Sequence, residues 1–165
     1  MLKLRHPTLI LISGLIWFAV GLFLLPLGLN LITAAAQTEG AAMASYPILN
    51  FIGHYAGRDQ AALLLIVLGL LIGQLKGKHI LGKSARKGVE RILTFPNPTS
   101  LANIYNKKYY ILLGSMVGIG FLVKLLPTDI RGFVDVIIGA ALINGALVYF
   151  HSAYELRNKL SKSAT

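Results

Sequence analysis

KGKHILGKSARKGVERILTFPNPTSLANIYNKK, residues 76–108, decides the fold. It carries Lys76, Lys78, Lys83, Arg86, Lys87, Arg91, Lys107 and Lys108 against a single acid, Glu90. On either side lies an apolar block long enough to cross a bilayer twice. A basic segment between two such blocks predicts two membrane hairpins joined on the side that retains positive charge.

Composition supports the same reading. The chain has 165 residues, 55% of them apolar and 13% charged, with a net charge of +10. Mean hydropathy is +0.67. A soluble domain of this size cannot hide so much apolar surface, so lipid must solvate part of it. The basic residues flank apolar runs, which makes them membrane flanks rather than a nucleic-acid footprint. Cysteine is absent, which excludes disulfides, thiolate metal sites and cysteine nucleophiles.

Taken in order, the first span covers about 8–32. Its apolar run exceeds the usual core of a signal peptide, so it reads as a retained transmembrane helix. Pro26 should bend it near its outer end. The piece YPILNFIGHYAG from Tyr46 is too short to span and reads as interfacial, with Tyr46, Phe51 and Tyr55 at headgroup level. The second span covers about 58–75, with Asp59 as its N-cap. Gly69, Gly73 and Gly77 form overlapping GxxxG steps on one face.

Within the basic segment, Ile80, Leu81, Ala85, Val89, Ile92 and Leu93 recur at helical spacing. Lys83, Arg86, Lys87 and Arg91 fill much of the opposite side. This predicts an amphipathic helix over about 79–94, lying in the membrane surface with those four side chains on anionic lipid headgroups. Pro96 and Pro98 end it, and Thr99 or Ser100 can cap the next helix. The third span covers about 109–126 and the fourth about 130–150.

The fold class expected is all-α, a single polytopic domain of four transmembrane helices plus the surface helix. Thirteen of the sixteen Lys and Arg lie on the side of the termini and the basic segment. The positive-inside rule then puts both termini in the cytoplasm, in a bacterial inner membrane or a plasma membrane. A parallel internal repeat is also expected. Asp59, Gly69 and Gln74 recur as Asp129, Gly139 and Asn144 at a constant offset of 70, as in transporters built from parallel halves.

Six polar residues are candidate contacts for an ion or small charged solute: Asp59, Gln74, Lys124, Arg131, Asp135 and Asn144. Polar groups inside a span mark a path or a helix contact. Gln74 and Asn144 suit helix–helix bonding. Arg131 and Asp135 stand four apart on one face and can neutralise each other. An outer vestibule would gather Asp59, Lys124, Arg131 and Asp135. Asp135 and Asn144, nine residues apart, point to opposite faces and cannot line one site in a regular helix.

No catalytic chemistry is expected. GKHILGKS at 77–84 matches the GxxxxGK[ST] pattern, but a membrane helix precedes it where a P-loop needs a strand and a nucleotide-binding domain. His6, His54, His79 and His151 have no metal-ligand spacing, so no metal or other cofactor is expected. Trp17, well inside the first span, is expected to pack. Three functions remain open. The first is a small transporter or channel working as a homo-oligomer. The second is an accessory or assembly subunit of a membrane complex. The third is a protein that handles anionic lipid through the basic helix.

Overall fold

The computed structural model describes residues 3–38, 45–96, 99–100 and 122–162. Among these the chain is helical, apart from short turns between helices and a two-residue antiparallel ladder. Helix α1 is His6–Gln37, α2 is Pro47–Ala56 and α3 is Arg58–Lys76. A π-helical segment, Gly77–Leu81, joins α3 directly to α4, Gly82–Leu93. Helix α5 is Thr128–Lys162. The ladder pairs β1, Lys3–Leu4, with β2, Thr99–Ser100.

Three helical runs are long and apolar enough to cross a membrane: α1, the continuous run from Arg58 to Leu93, and α5. At 1.5 Å per residue these are about 48, 54 and 52 Å long, against a hydrocarbon core of about 30 Å. Each run is therefore longer than such an apolar layer is thick.

Helix α5 is the hub, because α1 packs along one side of it and α3 with α4 along another. The α1 seam is made by glycines at intervals of seven, Gly14, Gly21 and Gly28, facing Tyr149, Gly139 and Gly132 in that order. The order shows α1 and α5 antiparallel. The approach is close enough that a Cβ on Gly28 would sit 2.6 Å from the Gly132 carbonyl oxygen. A seven-residue repeat of small residues keeps one stripe in contact along both helices. The α3 seam uses Gly69, Gly73 and Gly77, at intervals of four, against Val136, Ala140 and Asn144. Here the numbers rise together, so α3 and α5 are parallel. The GxxxG face is thus consumed inside the chain.

Two apolar clusters close the ends. At the end holding the α1 C-terminus, Ile32, Ala35, Leu49, Ala61, Leu65 and Val136 pack together. At the other end, Leu9 and Ile10 of α1 meet Ala85, Val89 and Ile92 of α4 and Tyr149 and Ala153 of α5. Trp17 packs edge-on to Tyr149, with ring centroids 5.5 Å apart.

Several expectations are corrected. The helix expected over 79–94 does not lie free on a membrane surface. It continues the second span, and Ala85, Val89 and Ile92 are buried against protein. The π segment is the physical reason. On an uninterrupted α-helix Ala85 and Val89 would lie about 160° from Gly69 and Gly73. A π turn inserts one residue without advancing the helix, removing about 100° and leaving about 60°. The Gly82 N–H reaching back to the Gly77 carbonyl closes this wide turn. Both apolar faces then meet the same bundle.

The first span runs on through Pro26 to Gln37, and the fourth runs on to Lys162. Asp59 is not the N-cap of α3. Gly57 holds that position with φ +86°, a left-handed conformation suited to glycine, and Asp59 falls in the first turn. Thr99 and Ser100 pair with Leu4 and Lys3 instead of capping a helix. The third span, about 109–126, lies outside the described residues except for its last few. Of the three pairs at offset 70, Gly69 and Gly139 are both buried at helix seams, but the two polar pairs do not share surroundings. Asp59 and Gln74 are exposed, whereas Asp129 is fully buried and Asn144 abuts Gly77.

Candidate functional site

The six candidate residues do not converge. Asp59 and Gln74 stand on the exposed side of α3, and Lys124 lies in the exposed turn before α5. Arg131 and Asp135 do approach each other, as their spacing predicted. The Arg131 Nε lies 3.9 Å from an Asp135 carboxylate oxygen, at the outer limit of an ion pair. Asp135 is only 7% exposed. Base before acid along a helix is the weaker order for such a pair, and the long separation agrees with that.

Asn144 serves helix packing. Its Nδ2 donates to the Ala140 carbonyl 2.9 Å away, one turn back on its own helix. Its Cβ meets the Gly77 position, where an added Cβ would lie 2.8 Å away. Gln74, which the repeat would make its counterpart, points outward from the same interface.

The polar work at the α1 C-terminal end is done by two residues outside the candidate set. Asp129 is fully buried. One carboxylate oxygen accepts the backbone N–H groups of Ile48 at 2.8 Å and Leu49 at 3.1 Å. The other accepts the N–H of Ile130 at 2.8 Å. Ile48 and Leu49 open α2, whose own N-cap residue, Tyr46, offers no side-chain bond. Asp129 therefore caps α2 from 80 residues away and places negative charge at its positive end. Arg58 does the converse for α1. Its guanidinium donates to the carbonyls of Thr38 and Ala35, the latter at 2.8 Å. Positive charge thus meets the negative end of that helix. The two caps tie α1, α2, α3 and α5 together at one end. A carboxylate next to a helix start was legible for Asp129, but no local pattern says that it serves a different helix.

At the opposite end, His6 Nε2 donates to the Phe95 carbonyl at 3.0 Å, fastening the start of α1 to the residue just past α4. Lys83, Arg86 and Lys87 are exposed there and Arg91 is half-buried. These are the expected lipid-headgroup residues, and they stand on the side of α4 away from its buried face. The GKHILGKS string is π-helix followed by α-helix. Its backbone N–H groups are directed along the helix axis and do not form a phosphate cradle. His79 donates to the Leu75 carbonyl at 2.9 Å, and His151 sits 3.1 Å from Glu155. Among the described residues no cluster of His, Asp or Glu could hold a metal ion.

Compared with known proteins, the chain matches no family model, no curated protein and no solved structure.

Proposed function

We propose that this chain is a four-crossing integral membrane protein acting as an accessory or assembly subunit for other membrane-embedded chains. One observation carries the choice over a conduit. The polar residues that would line a path diverge, while the α1–α5 and α3–α5 seams are closed by glycines to backbone contact. A conduit needs polar groups facing one space. Here Gln74 faces out, Asn144 is spent on its own helix and Arg131 is spent on Asp135.

The ends of the described segments support the four-crossing reading. Phe95 is fastened to the start of α1 and Asp129 is fastened beside its end. With eleven of the fourteen described Lys and Arg toward the Phe95 end, that end and both termini are read as cytoplasmic. The internal repeat adds nothing to this reading.

A second reading, transport of an ion or small charged solute, rests on Asp135, a carboxylate buried inside a span. The two are separated by experiment. The purified protein in proteoliposomes is assayed for proton and alkali-cation flux. In parallel, native membranes lacking the chain are searched for a membrane complex that loses abundance. The assembly reading expects no flux above empty vesicles and a depleted complex. Flux that disappears in the Lys124→Ala/Asp135→Ala double variant, with folding retained, would instead establish transport.

A further inference from the structure

The basic face of α4 finds no counterpart in its own chain. Lys83, Arg86 and Lys87 stand exposed on it at positions i, i+3 and i+4, which brings three cations onto one surface. Ala85, Val89 and Ile92 are buried on the other side. Glu90 shares the basic face one turn on. Among the described residues, however, the ion pairs lie elsewhere, at Arg131–Asp135 and His151–Glu155. Like charges at this spacing repel one another, so the face is complementary to an anion.

We infer that Lys83, Arg86 and Lys87 form a binding site for the headgroup of an anionic phospholipid in the cytoplasmic leaflet. Charge removes the chain itself as the occupant. It has six acids. Asp129 and Asp135 are buried. Asp59 lies in the first turn of α3 at the opposite end, and Glu39 follows Thr38 there. Glu155 lies 3.1 Å from His151 on α5, and Glu90 is on the face already. Residues 101–121 contain two lysines and no acid. A second copy inserted in the same orientation brings the same basic end to the same level, so it is repelled as well.

Height separates a lipid from an acidic protein. Asp129 stands among the polar caps at the outer end. Tyr149, 20 residues along α5, is about 30 Å deeper, which is the thickness of a hydrocarbon core. A Cβ on Gly88 would strike the Tyr149 hydroxyl. Arg86 and Lys87, the two residues before Gly88, therefore stand at the inner edge of that core. At this height α1 still turns leucines outward: Leu11 and Leu15 are exposed on either side of Gly14, where α1 meets Tyr149. Cations level with outward leucines suit the boundary between headgroups and acyl chains. There Arg86 can bond two oxygens of one phosphate while the lysines add charge.

The site rests on the four-crossing reading and not on the assembly role. Because the chain has no cysteine, Ser84→Cys, exposed beside Lys83, carries a single fluorophore. The labelled full chain is placed in vesicles of phosphatidylcholine and phosphatidylglycerol in equal parts, with brominated acyl chains on one lipid or the other. Quenching by the brominated phosphatidylglycerol should be stronger by at least about threefold. Lys83→Gln/Arg86→Gln/Lys87→Gln should bring the ratio to about one, and Glu90→Gln should raise it, since an acid leaves the face. Arg157→Gln/Lys159→Gln, at the same end but off α4, should leave it unchanged. Trp17 emission, unshifted in each variant, shows that the bundle is intact. Equal quenching by the two lipids would overturn the inference, because the face would then await an acidic protein. An equal fall in the Arg157/Lys159 variant would also overturn it, because the charge of the whole end would then attract lipid without a site. The crossings themselves are judged separately, by impermeant labelling from each side of the membrane, so failure of the site and failure of the topology are told apart.

Discussion

Asp129 holds a helix to which it does not belong. A buried carboxylate costs several kcal/mol unless its oxygens are bonded, and here they accept three backbone N–H groups. Asp129→Ala removes the acceptor of two N–H groups that open α2, one of them buried. The expected loss is about 1–3 kcal/mol, read as a lower melting temperature in detergent. Asp129→Asn keeps one acceptor oxygen and gives up the charge, so it should fall between. Asp59→Ala, at an exposed first-turn position, should stay within about 0.5 kcal/mol of the parent. Equal melting of Asp129→Ala and Asp59→Ala would show that the cap carries no weight. Glycines divide by the same kind of test. An added Cβ at Gly28 meets backbone at 2.6 Å, whereas at Gly82 the nearest atom is 3.5 Å away. Gly28→Ala should therefore destabilise by forcing α1 off α5. Gly82→Ala should be neutral or gain up to about 1 kcal/mol of helix propensity. Paired melts of the two variants decide this, and a reversed order would contradict the seam.

The π segment sets how α3 and α4 share one partner. Inserting one residue into Gly77–Leu81, where the wide turn already absorbs one extra residue, should turn Ala85 and Val89 about 100° away from α5. The cluster with Leu9, Tyr149 and Ala153 would then open, and Ser84 and Arg91 would swing toward it. The readout is Trp17 fluorescence, because that ring packs on Tyr149 beside the same cluster. Its emission should shift red and quench more readily, and an unchanged spectrum would mean that the π turn has no such role. Legibility in the sequence follows the same division. Apolar faces at helical spacing were readable, in Gly69–Gly73–Gly77 and in Ala85–Val89–Ile92 alike. Their relative angle was not, because periodicity assumes an unbroken helix and nothing in GKHIL announces a wide turn. GxxxG steps stand out at short range. Gly14, Gly21 and Gly28 do not, being seven apart in a run where any face is apolar. The pairing of Arg131 with Asp135 was readable because it lies within one helix. The Asp129 cap on α2 and the Arg58 cap on α1 join residues 80 and 20 apart, which only the fold brings together.

At the scale of the whole molecule, charge and the polar caps mark opposite ends of one bundle. Lys83, Arg86 and Lys87, with Arg157 and Lys159 from α5, stand exposed at the end where His6 meets Phe95. The Asp129 and Arg58 caps sit at the other end, beside α2, whose Phe51 and Tyr55 are 71% and 81% exposed. Aromatic rings of this kind settle at a membrane–water interface. Moving the basic end across an energised membrane would cost about 2.3 kcal/mol per charge per 100 mV. Orientation should therefore be single and resistant to small changes in the outer loops. Single cysteines in the cysteine-free chain test it. Gln37→Cys and Tyr55→Cys should react with an impermeant maleimide added to intact cells. Arg86→Cys and Lys159→Cys should react only after the membrane is opened. Replacing Lys83, Arg86 and Lys87 together by glutamine leaves the basic end in the majority, so the labelling pattern should persist. Labelling of Arg86→Cys from outside in the otherwise unaltered chain would invert the topology, and the α2 end would then face the cytoplasm.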